Sequence, residues 1–191
     1  MSTSGGARSD GKELEEEVVK RVWQAAHAPL TRASTEFERL IHGCEVWAWA
    51  DVPAWALVEI GWISCHEGEQ RRIYEGPPEG NRFCEYGADW LALKKCDNGK
   101  WYAVIGQTKD HKQLKIECLG RFFVVGEYVR QFNIAQGWPE GTVSMALCYP
   151  QDTHVSAGDL KHLQRLQHDW GIVCVHADDF ERSPRAEPAP P

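Results

Sequence analysis

Asp89, Gln107 and Lys109 are the side chains best spaced in this chain to do chemistry together. They lie toward the ends of Tyr86–Lys109, YGADWLALKKCDNGKWYAVIGQTK, in which Asn98-Gly99 divides two apolar runs. That dipeptide is the strongest short-range signal for a tight type I′ hairpin. Side chains alternate along a strand, so Gln107 and Lys109 face one way, and the fold-back lays Asp89 beside them. A carboxylate, an amide oxygen and an ammonium at one strand end can hold a divalent cation and polarise a phosphate. The chemistry expected of such a set is phosphodiester hydrolysis.

Asp89 is the expected principal ligand, because hard cations such as Mg²⁺ take oxygen donors and few protein carboxylates. Its alternative role is a turn aspartate that satisfies backbone N–H groups after Gly87. Gln107 offers an oxygen without charge, or else a strand-end amide bonded to a neighbouring strand. Lys109 can stabilise charge growing on phosphate oxygens, although Asp110 follows at once and could neutralise it.

The elements that must carry these residues are readable in order. A helix is expected over Asp10–His27, with Val18, Val19, Val22, Trp23 and Ala26 on one face. A second helix runs over about Thr35–His42 and a strand over Val46–Ala50. Trp55–Ile63 is apolar and continues or crosses the sheet. Glu67–Phe83 reads as a loop or loose hairpin, with the central hairpin after it. Beyond Lys109 come a polar stretch, a helix near Glu117–Gln136, a turn at Trp138-Pro139-Glu140-Gly141 and a strand at Val143–Tyr149. An amphipathic helix from Ser156 to about Trp170 is stopped by Gly171, and Ile172–His176 is the last strand. Helices between the late strands imply parallel crossovers beside an antiparallel hairpin. The expected fold class is α/β, a mixed central sheet flanked by helices.

Placed on those elements, the motifs resemble the PD-(D/E)XK nuclease superfamily, and within it the Mrr-like restriction endonucleases whose last motif is Q-x-K. The matching pieces are Gly87-Ala88-Asp89 with its tail Trp90–Leu93, the strand Trp101–Ile105, and Gln107-Thr108-Lys109. Phe37-Glu38-Arg39-Leu40 is similar to the helical F-E-x-L segment, and Val46–Pro53 to a tryptophan-rich strand in versions fused to large helicases. The likeness spans Ser34 to Asp179, with an unmatched insertion at Glu59–Phe83. It implies a restriction-endonuclease-like fold and a DNA endonuclease using Mg²⁺ or Mn²⁺. Asp89, Gln107 and Glu38 would be the metal ligands and Lys109 the catalytic assistant. It further implies DNA as partner, a homodimer, and a helicase acting in trans. Thr35-Glu36-Phe37-Glu38 is equally a capping box in which Glu38 bonds back to Thr35, with Glu36 the reserve acid. Two rival functions stand beside this one: a nuclease-fold DNA-binding module without cleavage, and a protein–protein adaptor using the tryptophans of Val46–Trp62.

Composition bounds these readings. The 191 residues suit one domain over 10–180, with disordered ends at 1–9 and 181–191. No apolar run approaches the length of a membrane-spanning helix, and the N-terminus lacks a secretory pattern. Seven cysteines without a CxxC pair suggest free thiols in a reducing compartment, cytoplasm or nucleus, and disfavour structural zinc. The histidines form no convincing second site. A net charge of −7 opposes general nucleic-acid binding, yet Lys94, Lys95, Lys100, Lys109, Lys112, Lys115 and Arg121 cluster in the hairpin and just beyond. No phosphate-loop motif is present, so this chain carries no helicase motor.

Overall fold

The computed structural model describes residues 10–61, 63–66, 69–72, 87–110, 112–137 and 142–176. The expected disordered ends and the turn at 138–141 lie outside them.

Helix α1 runs over Asp10–His27 and α2 over Glu36–Ile41, capped by Thr35. Strand β1, Glu45–Ala48, ends two residues sooner than expected, because Trp49–Asp51 form a 3-10 turn. Trp55–Ile63 contributes no strand to the central sheet: Ala54–Glu59 is helix α3. Ala56 and Ile60 are its buried positions, four apart as one helix face requires. Within the insertion, β2 (Ile63–His66) and β3 (Glu69–Arg72) pair as an antiparallel hairpin. The rest of the insertion lies outside the described residues.

Strands β4 (Trp90–Lys95) and β5 (Trp101–Thr108) form the central hairpin. Its turn differs from the expected type I′. Gly99 N–H donates to the Cys96 carbonyl at 2.9 Å, so Gly99 closes the turn with φ 78°. A turn followed by a left-handed glycine makes a three-residue loop. After β5, the polar stretch contains the two-residue strand β6 (Gln113–Leu114) and a 3-10 turn at Ile116–Leu119 leading into α4 (Gly120–Ala135). Next come β7 (Val143–Tyr149), β8 (His154–Val155), α5 (Ala157–Trp170) and β9 (Ile172–His176). Helix α5 stops at Gly171 in the left-handed conformation, as read from sequence.

The protein is mixed α/β. One sheet has the order β1-β4-β5-β7-β9, and β6 pairs with β8 outside it. The β1–β4 and β4–β5 pairs are antiparallel, and β5–β7 and β7–β9 are parallel. Both parallel crossovers step the same way, so right-handed connections put α4 and α5 on one face. There Phe122, Val125, Val129 and Leu163 pack against Leu91, Ile105 and Leu147. The other face is left to α1 and α2, whose Val18, Val22, Phe37 and Ile41 pack on Trp90, Val104 and Cys148. With both faces covered, the central strands are apolar throughout rather than alternating.

Candidate active site

The site-bearing residues gather at the open mouth of the β4–β5 hairpin. Asp89 immediately precedes β4, and Gln107 lies near the end of β5. Trp90 pairs with Gly106, so Asp89 comes opposite Gln107 in register, with Lys109 just past the strand. Backbone bonds fix Asp89: its N–H donates to the Gly106 carbonyl and its carbonyl accepts from Trp49 N–H, both at 2.8 Å. Gly87, with φ 86°, holds the approach, and a Cβ there would lie 2.6 Å from the Arg121–Phe122 backbone. That close packing sets the start of α4 against the Gly87–Asp89 segment.

The Asp89 carboxyl is in a costly place. Burial pushes its pKa from 3.8 up to about 6. Thr108 N–H, donating to Oδ2 at 2.5 Å, opposes the rise. The charge of Glu15 adds to it and that of Lys109 works against it. Gln107 is 3% exposed, and its Oε1 has no hydrogen-bond partner. A buried oxygen left so costs about 1–3 kcal/mol. Lys109 is half-buried, and its backbone N–H still pairs with the Cys148 carbonyl at 2.9 Å.

Glu38 is placed elsewhere. Its Oε2 accepts from Thr35 N–H at 2.6 Å, completing the capping box, and it lines a groove with Val173–Val175 of β9. Glu36 lines that groove too. The acid whose charge reaches Asp89 is Glu15 on α1. Helix α1 is tied at its C-terminal end to the start of β1, where Gly43 N–H donates to the Ala26 carbonyl at 2.8 Å. Its N-terminal half therefore lies toward the hairpin mouth. The pattern carried the signal: Glu15 stands three, seven and eleven positions before Val18, Val22 and Ala26, on the stripe that is buried.

Asp89 and Glu15 bring carboxylate oxygens and Gln107 an unpartnered amide oxygen, each a hard donor of the kind Mg²⁺ or Mn²⁺ takes. Among the described residues no three His, Cys, Asp or Glu side chains converge, so the neutral Gln107 would have to complete the set. The basic run divides. Lys94 Nζ donates to the His42 carbonyl at 2.9 Å, Lys95 lies over the Trp101 ring at 5.8 Å, and Lys100 donates to the Gly137 carbonyl. These three are at the hairpin tip, about 20 Å along the strands from Asp89. Lys109, Lys112, Lys115 and Arg121 follow β5 at the mouth, and the last three are exposed. Cys44, Cys96, Cys118, Cys148 and Cys174 are free thiols. No described helix is long and apolar enough to cross a membrane. No protein-family model, curated protein or solved structure matches this chain.

Proposed function

We propose that this chain is a metal-dependent DNA endonuclease domain of the Mrr-like, Q-x-K type. The observation that carries the reading is the meeting, at one strand end, of a buried carboxyl with a raised pKa, an unpartnered buried amide oxygen and a lysine. Asp89, Gln107 and, in place of Glu38, Glu15 would hold Mg²⁺ or Mn²⁺. When bound, such a cation polarises a phosphate oxygen and lowers the pKa of a coordinated water. Asp89 must be ionised to ligate, so its pKa near 6 ties cation binding to pH. The Lys109 ammonium places positive charge where the phosphate gathers negative charge during attack. Lys112, Lys115 and Arg121 contact flanking phosphates.

The non-cleaving module remains the second reading, because the set contains two carboxylates and an uncharged amide. The test is conversion of supercoiled plasmid with Mg²⁺ or Mn²⁺, halted by EDTA and steeply weakened by salt. Asp89→Ala, with unchanged circular dichroism, is expected to abolish conversion while DNA is still retained. Retention without conversion in the wild type, across both cations and several DNA forms, selects the module; absence of both refutes the reading.

A further inference from the structure

We propose that His176, braced by Tyr149, donates to a second phosphate of the nucleic acid, the one flanking the phosphate that the candidate active site would cut. The inference rests on the nuclease reading above and adds a subsite to it. Register builds the subsite. Lys109 N–H, donating to the Cys148 carbonyl at 2.9 Å, carries the β5–β7 ladder one step past Thr108, which brings Lys109 beside Tyr149. Tyr149 in turn pairs with His176. Two residues earlier, Gln107, Leu147 and Cys174 stand in the same register. Side chains two apart share a face, so Lys109, Tyr149 and His176 form a row on the face of Gln107. The row crosses the carboxyl ends of three parallel strands, where open α/β sheets place their ligands.

The polar atoms at these strand ends have no partners to spare. Among the described residues, seven buried side-chain polar atoms lack a hydrogen-bond partner, and four of them, on Gln107, Thr108, Thr153 and His176, lie at or just past the row. Folded proteins leave few such atoms, so their gathering marks a place for a polar ligand. Their chemistry divides along the row. Gln107 Oε1 only accepts, which suits a cation, whereas a hydroxyl or an imidazole N–H donates, which suits an anion. Thr153 belongs to the turn directly after β7, its N–H donating to the Pro150 carbonyl at 3.1 Å.

His176 is half-buried, and its Nδ1 is buried without an acceptor. The neutral ring therefore keeps its proton on Nε2 and has an N–H to donate. The buried Tyr149 ring meets the imidazole edge to face at 4.9 Å and restrains its plane. Three strand spacings, about 14 Å, separate β9 from β4, which Asp89 precedes. An imidazole is too short to span that distance, so His176 serves a neighbouring phosphate and not the one at the cation. Exposed Asp110 and Asp152 flank the row, so direct donors, rather than a general positive field, must hold the anion.

The test uses the full chain in EDTA with a thymidine trinucleotide, so that binding is read without cleavage. The imidazole NMR signal of His176, assigned by its loss in His176→Gln, is expected to move on titration. It should stay still with a trinucleotide whose two phosphodiesters are neutral methylphosphonates. Affinity should fall about ten-fold in His176→Ala, the worth of one hydrogen bond to a charged group. His176→Gln, which keeps an N–H donor, should recover part of the loss. The signal should still move in Asp89→Ala, because the subsite is separate from the cation ligands. In plasmid conversion His176→Ala should raise KM and hold kcat, since it touches a phosphate that does not react. A signal that ignores the trinucleotide, or one that moves equally with the neutral analogue, overturns the proposal. So does an affinity unchanged in His176→Ala, or a fall in kcat at constant KM. If the binding results hold and the wild type converts no plasmid, the subsite stands within the non-cleaving module and the nuclease reading fails alone. Should His176→Ala fail to fold, the wild-type signal, its neutral control and Asp89→Ala decide.

Discussion

Replacing Asp89 with asparagine should make the metal-free protein more stable at neutral pH. The carboxyl titrates near 6 rather than at 3.8 in the fold, so keeping it ionised costs about 3 kcal/mol relative to the unfolded chain. Because the folded pKa is the higher one, this group favours folding fully below pH 3.8 and loses that contribution as pH rises through about 6. Asparagine removes the charge and keeps an oxygen for Thr108 N–H, which now donates to Oδ2 at 2.5 Å. At pH 7.5 in EDTA the melting temperature of Asp89→Asn should exceed the wild type by up to about 6–12 °C, given roughly 2–4 °C per kcal/mol at this chain length. The gap should shrink steadily toward pH 4.5. Added Mg²⁺ or Mn²⁺ should raise the wild type and leave the variant nearly unmoved, since a ligand stabilises only the state that binds it. The assay is thermal unfolding of both proteins across pH, with and without cation. A variant less stable than wild type at pH 7.5, or a gap that ignores pH, would refute the assignment of Asp89 as a strained, cation-seeking carboxylate.

Gln107→Glu should tighten Mg²⁺ or Mn²⁺ binding in titration calorimetry, because it adds a charged donor of nearly the same shape; unchanged or weaker affinity would mean that Gln107 does not face the cation. Glu15→Gln should weaken cation binding and cleavage, whereas Glu38→Ala, which removes the acceptor of the Thr35 N–H, should cost about 1 kcal/mol in chemical denaturation and leave cleavage intact. The reverse pattern would restore Glu38 to the site. Gly106→Ala should destabilise the fold by about 3 kcal/mol or more, measured by the same denaturation, because its Cβ would lie 1.7 Å from Cε2 of the buried Trp90.

Most of the fold was legible where local chemistry and long-range packing agree. Helix α2 shows its Thr35 cap, α5 its Ser156 cap and Gly171 stop, and β7 and β9 are short apolar runs. The misread segment, Trp55–Ile63, is apolar nearly throughout, and such a run does not separate a buried strand from a short helix. The four-residue spacing of Ala56 and Ile60 decides it only once their burial is known. Strands β6 and β8 have two residues each, too few to show any period. Within the candidate site, Asp89, Gln107 and Lys109 could be placed together because a hairpin fixes register locally. The acid whose charge reaches Asp89 could not be, because it depends on which helix crosses the hairpin mouth.

That choice follows from topology. With β5, β7 and β9 parallel, the crossover helices α4 and α5 begin at the ends where those strands stop, and both occupy one face. The mouth of the β4–β5 hairpin lies at that same end, so the start of α4 reaches Gly87 while the opposite face must be covered by α1. Helix α1 is anchored by Ala26 at the far end, beside the start of β1. Its first turns thereby lie toward Asp89, and a glutamate on its buried stripe is the one whose charge reaches that carboxyl. Glu38 belongs to a six-residue helix whose first turn it must cap, and it borders β9 rather than the hairpin mouth. A helical F-E-x-L motif marks an acid near an apolar stripe; the direction of the helix across the sheet decides which site that acid serves.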